Sequence, residues 1–255
     1  MTLSAAEYPG AALRPSPNFG ERRRGPPDML VLHYTGMDSA DDALAWLCSD
    51  RSEVSAHYFV YEDGRIVQMV AEDKRAWHAG ASFWKGERDN NSRSIGIEIA
   101  NPGHQGDYRE FPPLQIAAVV RLCRHCVSKW TIAPERVLAH SDIAPQRKTD
   151  PGEKFPWRSL FEGGVGHWVE PSVVTGGRFL QRGDEGQPVE ALQAMLSLYG
   201  YDAEISGKFD SMLEANVTAF QRHFRPSIVD GIADVSTIDT LHKLLSALPG
   251  PVKPG

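Results

Sequence analysis

Met29-Leu30-Val31-Leu32-His33-Tyr34-Thr35 is the stretch that decides how this chain folds. It is a short, unbroken apolar run that ends on a histidine. A run of this length without polar alternation reads as a strand buried on both faces, the kind that helices cover from two sides. Ser94-Ile95-Gly96-Ile97-Glu98-Ile99-Ala100 has the same character. In a strand Ile95, Ile97 and Ile99 share one face, and Gly96 and Glu98 share the other. Arg136-Val137-Leu138-Ala139 is a shorter strand that delivers the chain to His140. Between these runs the period changes. Asp38 or Ser39 can cap a helix through Ala43, Leu44, Trp46 and Leu47. Pro112-Pro113 opens a long amphipathic helix that runs to about Trp130. His57 to Tyr61 and Arg65 to Val70 flank Asp63-Gly64 as a hairpin. Strands interleaved with helices predict an α/β domain, a central mixed β-sheet flanked by helices.

Outward from that core the composition divides the chain. Residues 1–27 are rich in Pro, Gly and Arg and read as an extended lead-in, and 28–162 as the α/β domain. Gly163-Gly164 and Thr175-Gly176-Gly177 bracket a linker over 163–177. From there to residue 250 three short amphipathic helices follow, marked by Val189, Leu192 and Leu196, by Val217 and Phe220, and by Leu241 and Leu244. Ser206-Gly207-Lys208-Phe209-Asp210 and Asp230-Gly231-Ile232-Ala233-Asp234 form a weak repeat between them. A unit of about 70 residues is small but able to fold on its own core.

With 255 residues and a formal charge of −6, the chain is not built to bind nucleic acid or an anionic membrane. No run of about 18 apolar residues is present, so no membrane span is expected. The first ten residues lack a basic region followed by a hydrophobic run. Arg22-Arg23-Arg24 leads into Gly25-Pro26-Pro27-Asp28 and reads as a solvated basic turn, not an export signal. Cys48, Cys123 and Cys126 form no disulfide framework, which fits a reducing compartment. Cys123 and Cys126, three apart on a helix, read as core packing. The expected state is a cytoplasmic monomer, the alternative being a periplasmic or wall-associated one.

The chemistry centres on His33, His140 and Asp150. Two neutral imidazoles and a carboxylate give Zn²⁺ three ligands and leave a fourth position free, as in hydrolases. Spacing alone leaves two readings open, since a histidine closing an apolar strand is as readily a satisfied core residue. Glu98 is either a solvent-facing strand residue or a desolvated general base. Lys148 is either a surface lysine or a fixed ammonium for a developing oxyanion.

Five motifs in order change those odds: Leu32-His33-Tyr34-Thr35, Val54-Ser55-Ala56-His57-Tyr58, Ala76-Trp77-His78-Ala79-Gly80, Ser94-Ile95-Gly96-Ile97-Glu98 and His140-Ser141-Asp142-Ile143-Ala144 through Lys148-Thr149-Asp150-Pro151-Gly152. Together they resemble the type-2 zinc N-acetylmuramoyl-L-alanine amidases, which share the fold of peptidoglycan recognition proteins. The resemblance implies zinc on His33, His140 and Asp150, Glu98 as general base and Lys148 as oxyanion partner. It implies hydrolysis of the amide between the lactyl group of N-acetylmuramic acid and L-alanine in peptidoglycan or muropeptide fragments. His57 stands where some phage relatives carry a tyrosine, and Asp150 where some carry a cysteine. His57, His78 and Arg88 are the substrate-side residues it suggests. Arg88 resembles an arginine that meets the diaminopimelate carboxylate, in a loop one residue longer here. The tail resembles a helical peptidoglycan-binding domain, departing from it at Phe224-Arg225-Pro226-Ser227-Ile228. The rival functions are a non-catalytic muropeptide-binding module and a zinc peptidase cutting within the stem peptide. The complete ligand trio with Glu98 and Lys148 favours a hydrolase.

Overall fold

The structure, a computed structural model, describes residues 4–173 and 176–248. Residues 174–175 of the expected linker, and the chain ends at 1–3 and 249–250 of the expected divisions, lie outside the described residues. In chain order come β1 (Ala12–Leu13), β2 (Phe19–Glu21), β3 (Met29–Tyr34), α1 (Ala40–Leu47), β4 (Tyr58–Val60), β5 (Ile66–Gln68) and β6 (Lys74–Ala76). Then follow α2 (Asn90–Arg93), β7 (Ser94–Ile99), α3 (Pro113–Trp130), β8 (Val137–Ala139), α4 (His140–Ile143) and α5 (Trp157–Glu162). The tail supplies α6 (Gln187–Tyr199), α7 (Ser211–Phe224) and α8 (Val235–Ser246).

Six strands form one mixed sheet in the order β1-β5-β4-β7-β3-β8, and β2 pairs separately with β6. The apolar run at residue 29 is the reason for its centre. β3 lies parallel to β7 on one side and to β8 on the other, and every residue from Met29 to Leu32 is fully buried. One face, carrying Leu30, Leu32, Ile95, Ile97, Ile99 and Tyr58, packs under α3 through Ile116, Val119, Leu122, Cys123 and Cys126. Each such large apolar side chain contributes roughly 1.5–3 kcal/mol on burial. The two cysteines are free and buried in that layer.

The other face is covered twice. Over β4 and β5 sits α1, whose Ala43, Leu44 and Leu47 meet Phe59 and Val67. Over β3 and β8 the cover is the tail itself. Met29, Val31, Leu138, Ile143 and Trp84 merge into one core with Leu192, Leu196, Leu213, Phe220 and Leu241. Between these covers, at the carboxyl ends of the parallel strands, His33 and Glu98 stand as register partners.

The tail's repeat has a physical basis. In both turns a glycine with positive φ, Gly207 at 72° and Gly231 at 74°, donates its N–H to a buried glutamine, Gln193 or Gln221, at 2.9 Å. Each glutamine donates back to a turn carbonyl, Lys208 O at 3.0 Å and Ile232 O at 2.8 Å. Each turn ends on an aspartate, Asp210 or Asp234, that caps the next helix. The atypical segment after Phe224 is built around Arg225, a fully buried side chain that donates to Ile228 O and Thr237 Oγ1.

Two expectations differ from the fold, and the course of the linker adds a third observation. The lead-in is not merely extended, because β1 joins the main sheet beside β5 and β2 pairs with β6. Arg22 is not solvated: its guanidinium donates to the carbonyls of Glu72, Ser92 and Ser94, and burial lowers its pKa to about 10. The linker adheres to the body, with Val165 buried and Ser172 N donating to Thr240 Oγ1. Among the described residues no helix is long and apolar enough to cross a membrane.

Candidate metal centre

His33 reaches the site because β3 ends there, and His140 because β8 hands the chain to the short α4. Asp150 returns on the loop after α4, tied to it by Ser141 N donating to Asp150 O at 3.0 Å. Tyr34 OH and Thr149 Oγ1, each next in sequence to a ligand candidate, bond at 2.9 Å and hold loop to strand. The result is a tight triangle. His33 Nδ1 lies 2.9 Å from His140 Nδ1, and both lie 3.0 Å from Asp150 Oδ2. Among the described residues these three form the group able to hold a metal ion.

The outer ring nitrogens fix what the inner ones present. His140 Nε2 lies 3.2 Å from Ala79 O, and a carbonyl only accepts, so this nitrogen carries the proton. Ser94 Oγ donates its proton to Asn90 O at 2.5 Å and therefore accepts from His78 Nε2 at 3.2 Å. His78 Nδ1 is then an acceptor, so His33 Nε2 donates to it at 3.0 Å. Both inner Nδ1 atoms are lone pairs. Burial, and the neighbouring His140, lower the His33 pKa to about 4, keeping it neutral near pH 7. Three acceptors thus converge with no donor among them, the electrostatics of a cation site, and two imidazoles with a carboxylate suit zinc.

The trio floors a groove of about 450 Å³ that Glu98, Lys148, Arg147, Gln105 and His78 also line. Glu98 is half-buried, and its Oε2 is shut off from water without a hydrogen-bond partner among the described residues. Burial, then the Asp150 charge, pushes its pKa well above the ordinary value, with Lys148 pulling the other way. That combination describes a base poised to take a proton. The wall on the α1 side is apolar and exposed, with Trp46, Met37 and Val54.

Two sequence expectations fall outside the groove. His57 is fully buried beneath it, accepting Gly96 N–H at Nδ1 and contacting Lys74 O through Nε2, and burial lowers its pKa to about 3. Arg88 turns away to Asp202 of the tail at 3.7 Å and lies over the Phe83 ring. Arg147 lines the groove instead. His78 does line the groove, wedged so close to Gly96 that a Cβ there would fall 2.5 Å from its ring. Sequence reasoning missed Arg147, although it adjoins Lys148. It also missed Asp142, whose position three residues after Ala139 is that of a carboxylate closing back on a helix start.

Comparison with known proteins identifies the family. The N-acetylmuramoyl-L-alanine amidase family model matches residues 23–153, and that of a putative peptidoglycan binding domain matches 185–241. The N-acetylmuramoyl-L-alanine amidase AmiD of Escherichia coli is 40% identical over 223 residues, covering 82% of this chain and 79% of that protein. The 1,6-anhydro-N-acetylmuramyl-L-alanine amidase AmpD of the same organism is 34% identical over 62% of this chain and 93% of its own length. The solved complex of E. coli AmiD with anhydro-N-acetylmuramic acid-L-Ala-D-γ-Glu-L-Lys superposes with a TM-score of 0.74 at 35% identity, covering 90% of this chain and 97% of that one. AmpDh3 from Pseudomonas aeruginosa in complex with anhydromuramic pentapeptide gives 0.73 at 30% identity, over 97% of this chain and all of that one. The chain therefore belongs to the N-acetylmuramoyl-L-alanine amidase family, and its activity is hydrolysis of the amide between the N-acetylmuramic acid lactyl group and L-alanine of peptidoglycan stem peptides.

Proposed function

We propose that this amidase works as a zinc enzyme on muropeptides, with the metal held by His33 Nδ1, His140 Nδ1 and Asp150 Oδ2. The observation that carries this reading is the convergence of three lone-pair donors, two of them locked in that state by Ala79 O and by His78. Zinc held there would supply Lewis acidity and would make a nucleophilic water more acidic. Glu98 takes the proton from the attacking water, its raised pKa matching it to that task. The same carboxyl then returns the proton to the leaving amine of L-alanine. The Lys148 ammonium faces the groove and balances the charge that develops on the carbonyl oxygen.

A muropeptide is the proposed substrate because the solved AmiD and AmpDh3 structures that this chain resembles hold anhydromuramyl peptides. The apolar wall at Trp46, Met37 and Val54 suits the sugar ring, and Arg147 suits a stem-peptide carboxylate. We further propose a division into an amidase domain over 28–162 and a peptidoglycan-binding-type domain over 178–250, joined by 163–177. Incubating the chain with a defined muropeptide, with and without chelator, and weighing the products tests the reading. Free lactyl-sugar plus the whole peptide, lost on chelation, is expected. Fragments of the peptide would instead mean a zinc peptidase, and binding without products a recognition module.

A further inference from the structure

The tail does more than cover the sheet. Asp142 lies in α4, two residues after His140, and is 1% exposed. Its Oδ2 accepts Ala139 N–H at 2.8 Å, closing the start of the α4 turn. The rest of its hydrogen bonding comes from the tail. Tyr201 OH donates to Oδ1 at 2.6 Å, and His223 Nδ1 donates to Oδ2 at 2.7 Å. All three side chains are essentially out of water. His223 is itself clamped between the Trp157 ring, stacked at 3.7 Å, and the Phe224 ring at 3.8 Å. Next to it, Arg222 reaches Glu153 at 3.7 Å. Tyr201 is held by Trp84, which crosses it edge-on at 5.0 Å and lies so close to Gly200 that a Cβ there would fall 2.5 Å from the indole.

We propose that Tyr201 and His223 are positioning residues for the metal centre, acting through Asp142. The α4 turn carries one ligand, His140, and through Ser141 N–H grips the backbone of another, Asp150. Whatever fixes Asp142 therefore fixes two corners of the triangle. A buried carboxylate whose donors are removed is left an unpaired acceptor, which favours its movement toward water. Relaxing Asp142 toward water would unwind the start of α4 and swing His140 out of register. The family match to residues 23–153 contains neither donor. The amidase half of this chain thus depends on the tail for the geometry of its site, and the tail is part of the centre and not a tethered anchor.

This inference rests on the zinc reading above, and its test separates the two. The zinc dissociation constant of the full chain is measured by competition with a chelator of known affinity, alongside Tm. Outer residues that orient metal ligands typically change affinity about 10- to 100-fold. Acting one step further out, Tyr201→Phe and His223→Ala should each weaken zinc about tenfold. Leu241→Ala loosens the tail's core without touching Asp142, and should lower Tm while leaving zinc affinity within about twofold. Unchanged affinity in Tyr201→Phe would overturn the proposal. So would a Leu241→Ala variant that loses as much affinity as Tyr201→Phe, since the effect would then be mere destabilisation. A wild-type chain that binds no zinc would instead overturn the metal assignment, and this proposal with it.

Discussion

Two clusters of histidine and aspartate flank the same short helix, and they are wired in opposite ways. At His33, His140 and Asp150 the inner atoms are all acceptors, packed 2.9–3.0 Å apart. At Asp142, Tyr201 and His223 every contact pairs a donor with an acceptor. Both are buried and both hold one carboxylate. The difference teaches that burial and composition do not distinguish a metal site from a structural ion cluster, whereas the bookkeeping of protons does. The first cluster leaves three acceptors facing one another with no donor between them. The second is complete as it stands.

The largest effects should come from breaking the first cluster. His140→Ala and Asp150→Ala should abolish both zinc retention, read by elemental analysis, and turnover. Next, Glu98→Gln and Lys148→Ala should keep zinc and lose about 100- to 1000-fold in kcat, the usual cost of removing one partner of a developing oxyanion or its proton carrier. A variant with full zinc and near wild-type kcat would strip that residue of its role.

A third change contrasts the clusters directly. In metal-free protein at pH 8, Asp142→Asn should cost about 1–3 kcal/mol, because the neutral amide accepts more weakly from Ala139 N–H and His223, and its NH2 meets the Tyr201 hydroxyl only if that hydroxyl turns from donor to acceptor. Asp150→Asn should cost less than about 1 kcal/mol in the same protein, since its oxygen faces lone pairs and not donors. Chemical denaturation measures both, and equal costs would erase the distinction drawn here.

The smallest expected effect is a pH dependence. The folded-state pKa of Glu98 is raised, chiefly by burial. A group of this kind contributes stability at low pH that is lost as pH rises through its folded value. Glu98→Gln should therefore gain Tm relative to wild type between pH 5 and pH 8 in metal-free protein. In the active enzyme the same shift places the acid limb of kcat/KM above the ordinary carboxylate range, and Glu98→Gln should abolish that limb.

How much of this was legible in the sequence differs between the two clusters. His33 and His140 each close an apolar strand, and strand ends announce themselves through hydrophobic runs. Glu98 could be placed on the face opposite Ile95, Ile97 and Ile99 because a strand alternates strictly. The second cluster gave no such signal. Asp142, Tyr201 and His223 are up to 81 residues apart and meet only because the tail folds back on the sheet. No local period encodes that docking. For the same reason Arg22 read as solvated and Arg88 as a groove residue. Each side chain is claimed by distant backbone or a distant carboxylate, and long-range partners leave no mark on neighbouring residues. The tail's three helices were legible from their apolar spacing, while the pairing of Gln193 and Gln221 with the two glycine turns was not.

The most direct test is metal reconstitution. The chain is stripped of metal, titrated with zinc, and assayed on a defined muropeptide at each step. Activity absent at the start and rising linearly to a plateau at about one zinc per chain, with no such rise in Asp150→Ala, is the expected result. Full turnover by the stripped protein, or equal reactivation of Asp150→Ala, would contradict the assignment of His33, His140 and Asp150 as the catalytic metal site.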